Sequence, residues 1–168
     1  MQEYLSDAIV LSREPNGDLD CRFRIFTKKY GKLAAKAKSV RKVTSKLAGH
    51  LVPGNVVSVR VVEKNGPQIV DALKSAKVTA ANPRDLYLLA GLLADSEPDI
   101  GLWNLICGGK FGWLAALKIL GWDPAHAVCG ICRKGEPAVF DAEGQEFFCD
   151  ACASKLPPDK LIYIGNAA

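Results

Sequence analysis

The chain has 168 residues, is 49% hydrophobic, and carries a formal charge of +4 from 22 Lys and Arg against 18 Asp and Glu. That composition suits one large folded domain or two small ones and excludes a disordered polymer. The start, MQEYLSDAIVLSREP, is acidic and lacks the pattern of a secretory signal, and no run of eighteen uncharged apolar residues occurs, so a cytoplasmic protein without membrane contact is expected.

From residue 7 to about 77 the signals are strand-like, with short β-branched runs separated by the turn sequences PNGD, YGK, VPGN and KNG. Five strands are predicted, near 8–13, 19–27, 32–38, 56–63 and 68–76, a spacing that fits a small all-β barrel or sandwich. The second strand alternates, with Leu19, Cys21, Phe23 and Ile25 on one face and Asp20, Arg22, Arg24 and Phe26 on the other. The third does likewise, placing Leu33, Ala35 and Ala37 inward and Lys32, Lys36 and Lys38 outward. If the two pair as a hairpin through 28–31, their basic residues share one sheet face, with Phe26 among them and Tyr30 at the turn.

Residues 22–46 hold ten Lys and Arg and no acid, so the rest of the chain sums to −6. Charge gathered in this way points to an anionic partner. A solvated charged face is the competing explanation. Against it stand the missing acids, the shared sheet face and the interleaved aromatics. Phosphates are neutralised by Lys and Arg while unpaired bases stack on aromatic rings, and oligonucleotide-binding barrels combine both on one face. The candidate nucleic-acid-binding set is therefore Arg22, Arg24, Phe26, Lys28, Lys29, Lys32, Lys36 and Lys38, extended along the following loop by Arg41, Lys42 and Lys46.

After Ala81 the pattern becomes helical. Asn82 is an N-cap candidate with Pro83 at the first helical position, and a helix is expected through 95, followed by helical stretches over 98–107 and 110–120 that Gly121 terminates. Cys129, Cys132, Cys149 and Cys152 then form C-x2-C-x16-C-x2-C, the spacing of a four-thiolate structural zinc site. The intervening GEPAVFDAEGQEFF predicts a hairpin turning at Glu143-Gly144 that brings the two pairs together. A closed thiolate shell leaves no position for water, so one zinc ion per chain would fold a small module rather than catalyse. A zinc deaminase is excluded because neither His50 nor His126 sits in H-x-E. His126 is expected in a solvated loop, and Cys21 and Cys107 as buried small hydrophobes. No phosphate-cradling loop and no nucleophile with its base appear, and the chain is not expected to be an enzyme.

The expected fold class is α+β: a five-stranded barrel of the oligonucleotide-binding type over 1–80, then a short helical region over 81–168 that embeds the four-Cys zinc module at about 125–155. By residues alone a nucleic-acid-binding protein leads, either of DNA or, as an RNA-binding zinc protein of translation or ribosome assembly, of RNA, and a thiol-dependent enzyme using one C-x-x-C pair is the reading from another class.

The phrases AIVLSREPNGDLDCRFRIFTKKYGKLAAKAKSVRKVTSKLAGHLVPGN, LAALKILGWDPAHAVCGICRK and FFCDAC resemble, in that order, the barrel, the helix and the zinc module of the bacterial recombination mediators of the RecO family. The run from a Leu-rich helix through Gly121, Trp122 and Pro124 into the first Cys pair is the most specific element. With sixteen residues after Cys152, the chain looks like a shortened member. The resemblance implies a nucleoid-associated protein whose basic set binds single-stranded and duplex DNA, strand annealing, partnership with RecR, contact with the single-stranded DNA-binding protein, and assistance to RecA loading.

Overall fold

Five strands close the first part of the chain into a barrel. In the computed structural model, which describes residues 2–164, they are β1 (Gln2–Asn16), β2 (Asp20–Thr27), β3 (Gly31–Ala37), β4 (Asn55–Glu63) and β5 (Pro67–Lys77). Their order around the ring is β1-β2-β3-β5-β4, and β4 returns to β1. Only the β3–β5 seam is parallel. The long first strand makes closure possible: residues 2–9 pair with β4 and residues 8–16 with β2, and a bulge between Val10 and Ser12 re-aims the strand from one partner to the other. Alternation then decides the interior, where Val10, Phe23, Ile25, Val59, Val61 and Ile69 are almost fully buried. The expected five-stranded barrel is present.

The outside of β2 is not open along its whole length. Helix α1 (Pro83–Leu92) packs on β1 and β2, and helix α2 (Ile100–Cys107) brings Trp103 to 6.2 Å from the ring of Phe26. Phe26 is 0% exposed. The expectation of an exposed stacking ring is corrected accordingly: Phe26 points away from the barrel interior, as its parity requires, but into a second apolar layer under the helices. Cys107 is corrected in the opposite sense, since it is exposed.

Sequence signals account for α1. The Asn82 side chain accepts from the Asp85 amide while the Asp85 carboxylate accepts from the Asn82 amide, a reciprocal capping box, and Pro83 opens the helix. Beyond the helix, the Ser96 amide donates to the Lys32 carbonyl at 2.9 Å, and residues 95–97 lie along the start of β3. The approach requires Gly31: its φ is +70°, and an added Cβ would overlap the backbone of Glu97.

By contacts the chain divides into two compact units, 1–110 and 111–168, so α1 and α2 go with the barrel, whereas the sequence reading began the second part at 81. The second unit contains α3 (Trp113–Ile119), a 3-10 turn (Pro124–His126) capped by the Asp123 side chain, the hairpin β6 (Val139–Asp141) and β7 (Glu146–Phe148), the single turn α4 (Asp150–Ala153), and β8 (Leu161–Tyr163). Its sheet order is β7-β6-β8. The third strand was not expected, and it carries the module beyond residue 155: Leu161 packs with Val139, Phe148 and Cys152. Gly121, at φ +96°, follows the end of α3 as predicted. No helix among the described residues is long and apolar enough to cross a membrane.

Replacing Phe26 by Ala should lower the stability of the first unit by about 3 to 5 kcal/mol, the usual cost of an emptied aromatic core site. Urea denaturation followed by Trp103 fluorescence measures it. A variant with wild-type stability would contradict the buried placement.

Candidate metal centre and nucleic-acid interface

The sulfurs of Cys129, Cys132, Cys149 and Cys152 all lie within 4.8 Å of one another. Two local structures aim them. After Cys129 the chain turns tightly, with the Arg133 amide donating to the Cys129 carbonyl at 2.9 Å, and the Gly130 amide ties this knuckle to Phe147 of β7. The second pair brackets the start of α4, with Cys149 at its N-cap. Gly135 allows the two to meet, because a Cβ there would crowd Cys149, reaching within 2.7 Å of its Sγ.

This geometry fits zinc. A tetrahedron with Zn–S of 2.3 Å places sulfurs about 3.8 Å apart, and Cys132 Sγ and Cys149 Sγ are separated by 3.8 Å. The distance is far beyond a disulfide bond, at about 2.05 Å. The local electrostatics also ask for a cation. Backbone amides, first that of Cys132 and then that of Cys149, hold the Cys129 thiol down to about 6. The amides of Lys134 and Gly135 lower that of Cys132. The hydrogen bond with Cys149, together with burial, pushes Cys152 up to about 12. Four crowded sulfurs cannot all ionise side by side without a positive ion among them, and a bound divalent cation would deprotonate them all. Such an ion would have a complete shell and would serve structure. His126 is exposed in the 3-10 turn and does not join the cluster among the described residues.

The basic run is divided by the fold. Lys28 and Lys29 are exposed in the β2–β3 turn, at the end of the hairpin where the helices cover Phe26. Lys32, expected on the open face, has a side chain only 13% exposed. Its ammonium donates to the Ala90 carbonyl at 3.0 Å, in the last turn of α1, and pairs with Asp95 at 3.2 Å. It is thereby corrected from a free cation to a clamp on a helix end, where a positive charge is favoured. Arg24 is partly engaged, at 3.4 Å from Glu14. Arg41 anchors its loop to the β1–β2 turn through Gly17 O at 3.2 Å. Tyr30 is half-buried, edge-on to Tyr4 at 5.0 Å.

At the other end the cations stand open. Arg22 and Lys36 lie directly opposite each other across β2 and β3, and both are exposed. Lys38, Lys42 and Lys46 are exposed in the segment that follows. None of these five makes an ion pair among the described residues. Two acids of the neighbouring strands are engaged elsewhere: Glu14, opposite Arg22 on β1, pairs with Arg24, and Asp20 accepts from the Ser39 amide at 2.7 Å. Like charges directly opposed on a sheet are destabilising, and a bound anion would relieve them.

Residues 1–81 match the domain described as "Recombination protein O N terminal". The first part of the chain thus carries the N-terminal domain of the RecO proteins. Over 90% of its length it is similar to proteins named DNA repair protein RecO: it is 29% identical to that of Myxococcus xanthus (strain DK1622), covering 73% of the relative's length. With that of Thermodesulfovibrio yellowstonii it shares 27% identity over 70% of the relative. With that of Bifidobacterium longum (strain DJO10A) the figures are 24% and 74%. The chain is shorter than each of these relatives.

Cys132→Ser should abolish stoichiometric zinc and unfold the second unit while the barrel keeps its own transition. Metal analysis and a two-phase melting curve test this; a variant that retains one zinc per chain would overturn the four-thiolate assignment. Gly135→Ala should weaken metal retention in the same assay through crowding at Cys149.

Proposed function

We propose that the chain is a non-enzymatic DNA-binding mediator of recombinational repair, which holds single-stranded and duplex DNA on the open half of the β2–β3 face and on the loop that follows, and so promotes annealing of complementary strands. One observation carries the placement: Arg22 and Lys36 are opposed across the hairpin with no acid between them, and Lys38, Lys42 and Lys46 continue the exposed charge. Similarity to proteins named DNA repair protein RecO supports DNA as the polyanion. It also supports RecR as partner, a contact with the single-stranded DNA-binding protein, and help to RecA loading as the outcome. Binding would come from phosphate neutralisation, in which released counterions drive association. Stacking on Phe26 has no part in it, because that ring is inside the fold.

Arg22, Lys36 and Lys38 replaced together by Ala should weaken single-stranded DNA binding and lower the slope of log affinity against log salt by about 2, at roughly 0.7 per phosphate contact. Duplex binding should fall in parallel. Fluorescence anisotropy at several salt concentrations reads both, with an RNA competitor in a second arm. A normally folded triple variant that binds with wild-type affinity would remove the site from this sheet.

A further inference from the structure

The second unit has exposed features that holding a metal does not use. In the knuckle, Cys129 is buried, yet the apolar residues beside it are turned out: Val128 is 63% exposed and Ile131 55%. Arg133 and Lys134 follow at once, also exposed. Residues 124–135 contain no acid. Arg133 is held in the left-handed region, at φ +58°, a conformation that Gly or Asn adopts with less strain. Single exposed aliphatic residues need no explanation. Two of them with two cations, all within seven residues of one hydrogen-bonded turn, form a small amphipathic surface.

We propose that this knuckle face, Val128, Ile131, Arg133 and Lys134, is a second contact surface for single-stranded DNA, in addition to the barrel face. The proposal rests on the preceding reading that DNA is the ligand. The chemistry is complementary on both counts. Unpaired bases present apolar faces that an aliphatic side chain or a guanidinium plane can cover, whereas in a duplex those faces are stacked on one another. The phosphates that flank each base are matched by the two cations. Arg133 and Lys134 could also serve simply to balance the negative four-thiolate shell, but that role gives no reason for Val128 and Ile131 to be exposed. One carboxylate borders the turn: a Cβ added at Gly130 would stand 2.9 Å from Glu146 Oε2. It supplies a test in the reverse direction. A chain with two independent DNA contacts could hold one strand at each, as annealing requires.

The test uses the zinc-loaded full chain and three variants: Ile131→Ser, Arg133→Gln with Lys134→Gln, and Glu146→Gln. Each is measured for zinc content, melting, and affinity for single-stranded and duplex DNA at two salt concentrations, beside the Arg22, Lys36 and Lys38 triple variant. Ile131→Ser should weaken single-strand binding about fivefold, at the low end of what a base contact contributes, with the salt slope and duplex affinity unchanged. The double variant should lower the single-strand slope by about 1.4 units, and Glu146→Gln should tighten binding. Should Ile131→Ser lose zinc, the double variant and Glu146→Gln decide. If the knuckle variants keep zinc and bind like wild type while the barrel variant is defective, this inference falls and the barrel reading stands. If the barrel variant binds normally, the barrel reading falls instead, and a deficit confined to the knuckle variants would place the DNA there. Larger losses on single-stranded RNA than on DNA would overturn the choice of ligand.

Discussion

Alternation along the β2–β3 hairpin is the constraint on which the barrel and its surface both depend. Successive side chains on a strand face opposite ways, so Cys21, Phe23 and Ile25 can enter the interior only if Arg22, Arg24 and Phe26 leave it. On the partner strand Ala35 and Ala37 go in, while Lys36 goes out. A register slip of one residue would drive cations into the core and expose Phe23, at a cost no local rearrangement could offset. Core packing therefore fixes the charge pattern. The opposition of Arg22 and Lys36 is a consequence of the same register that buries Phe23 against its neighbours.

What covers the outside then sorts the outward residues into two kinds. Near the β2–β3 turn, α1 and α2 turn the outer face into a second apolar layer, and Lys32 beneath them is placed where a helix end supplies carbonyl oxygen and Asp95 supplies charge. At the far end the backbone course of residues 38–50 is set by Val40 and Leu51, both fully buried, and by the Arg41 contacts to the β1–β2 turn. The exposed lysines of that segment thus sit on a chain anchored at several points rather than on a free tail. The second unit, of fewer than sixty residues, has a small core in which Cys129 and Cys152 are themselves members. Units of that size bury too little surface to be stable without a staple, which makes the four cysteines as much a part of its folding as of its chemistry.

Much of this was legible in the sequence because the signals were local. Period-two alternation and turn residues located all five barrel strands, with ends displaced by a few residues, the largest at β1, which begins at Gln2 rather than near Ala8. The first half of β1, EYLSDA, mixes apolar and acidic residues, and its strand character comes from pairing with β4. The N-cap at Asn82 and the pairing of the two C-x-x-C motifs followed from spacing alone. Phe26 and Lys32 were misjudged because alternation tells which face a residue is on and not what lies over it. Nothing local announces that α1 will settle on that half of the hairpin. The strand β8 escaped notice because LIY is only three residues long and gains its strand form from β6, more than twenty residues earlier. The exposure of Val128 and Ile131 was equally invisible, since apolar residues beside cysteines read as core.

The stretch ADSEPD, residues 94–99, looks in sequence like a soft connector, polar, acidic and interrupted by proline. In the fold its backbone is hydrogen-bonded to Lys32, joined to β3 as a parallel bridge, and set so close to Gly31 that a side chain there has no room. A protease must draw a segment into an extended strand in its own cleft, and this one is already committed to another strand. Its apparent vulnerability is therefore misleading: cleavage within 95–97 would first require the end of α1 to be lifted from the hairpin, so susceptibility to nicking at this position would report the docking of the helix rather than the composition of the loop.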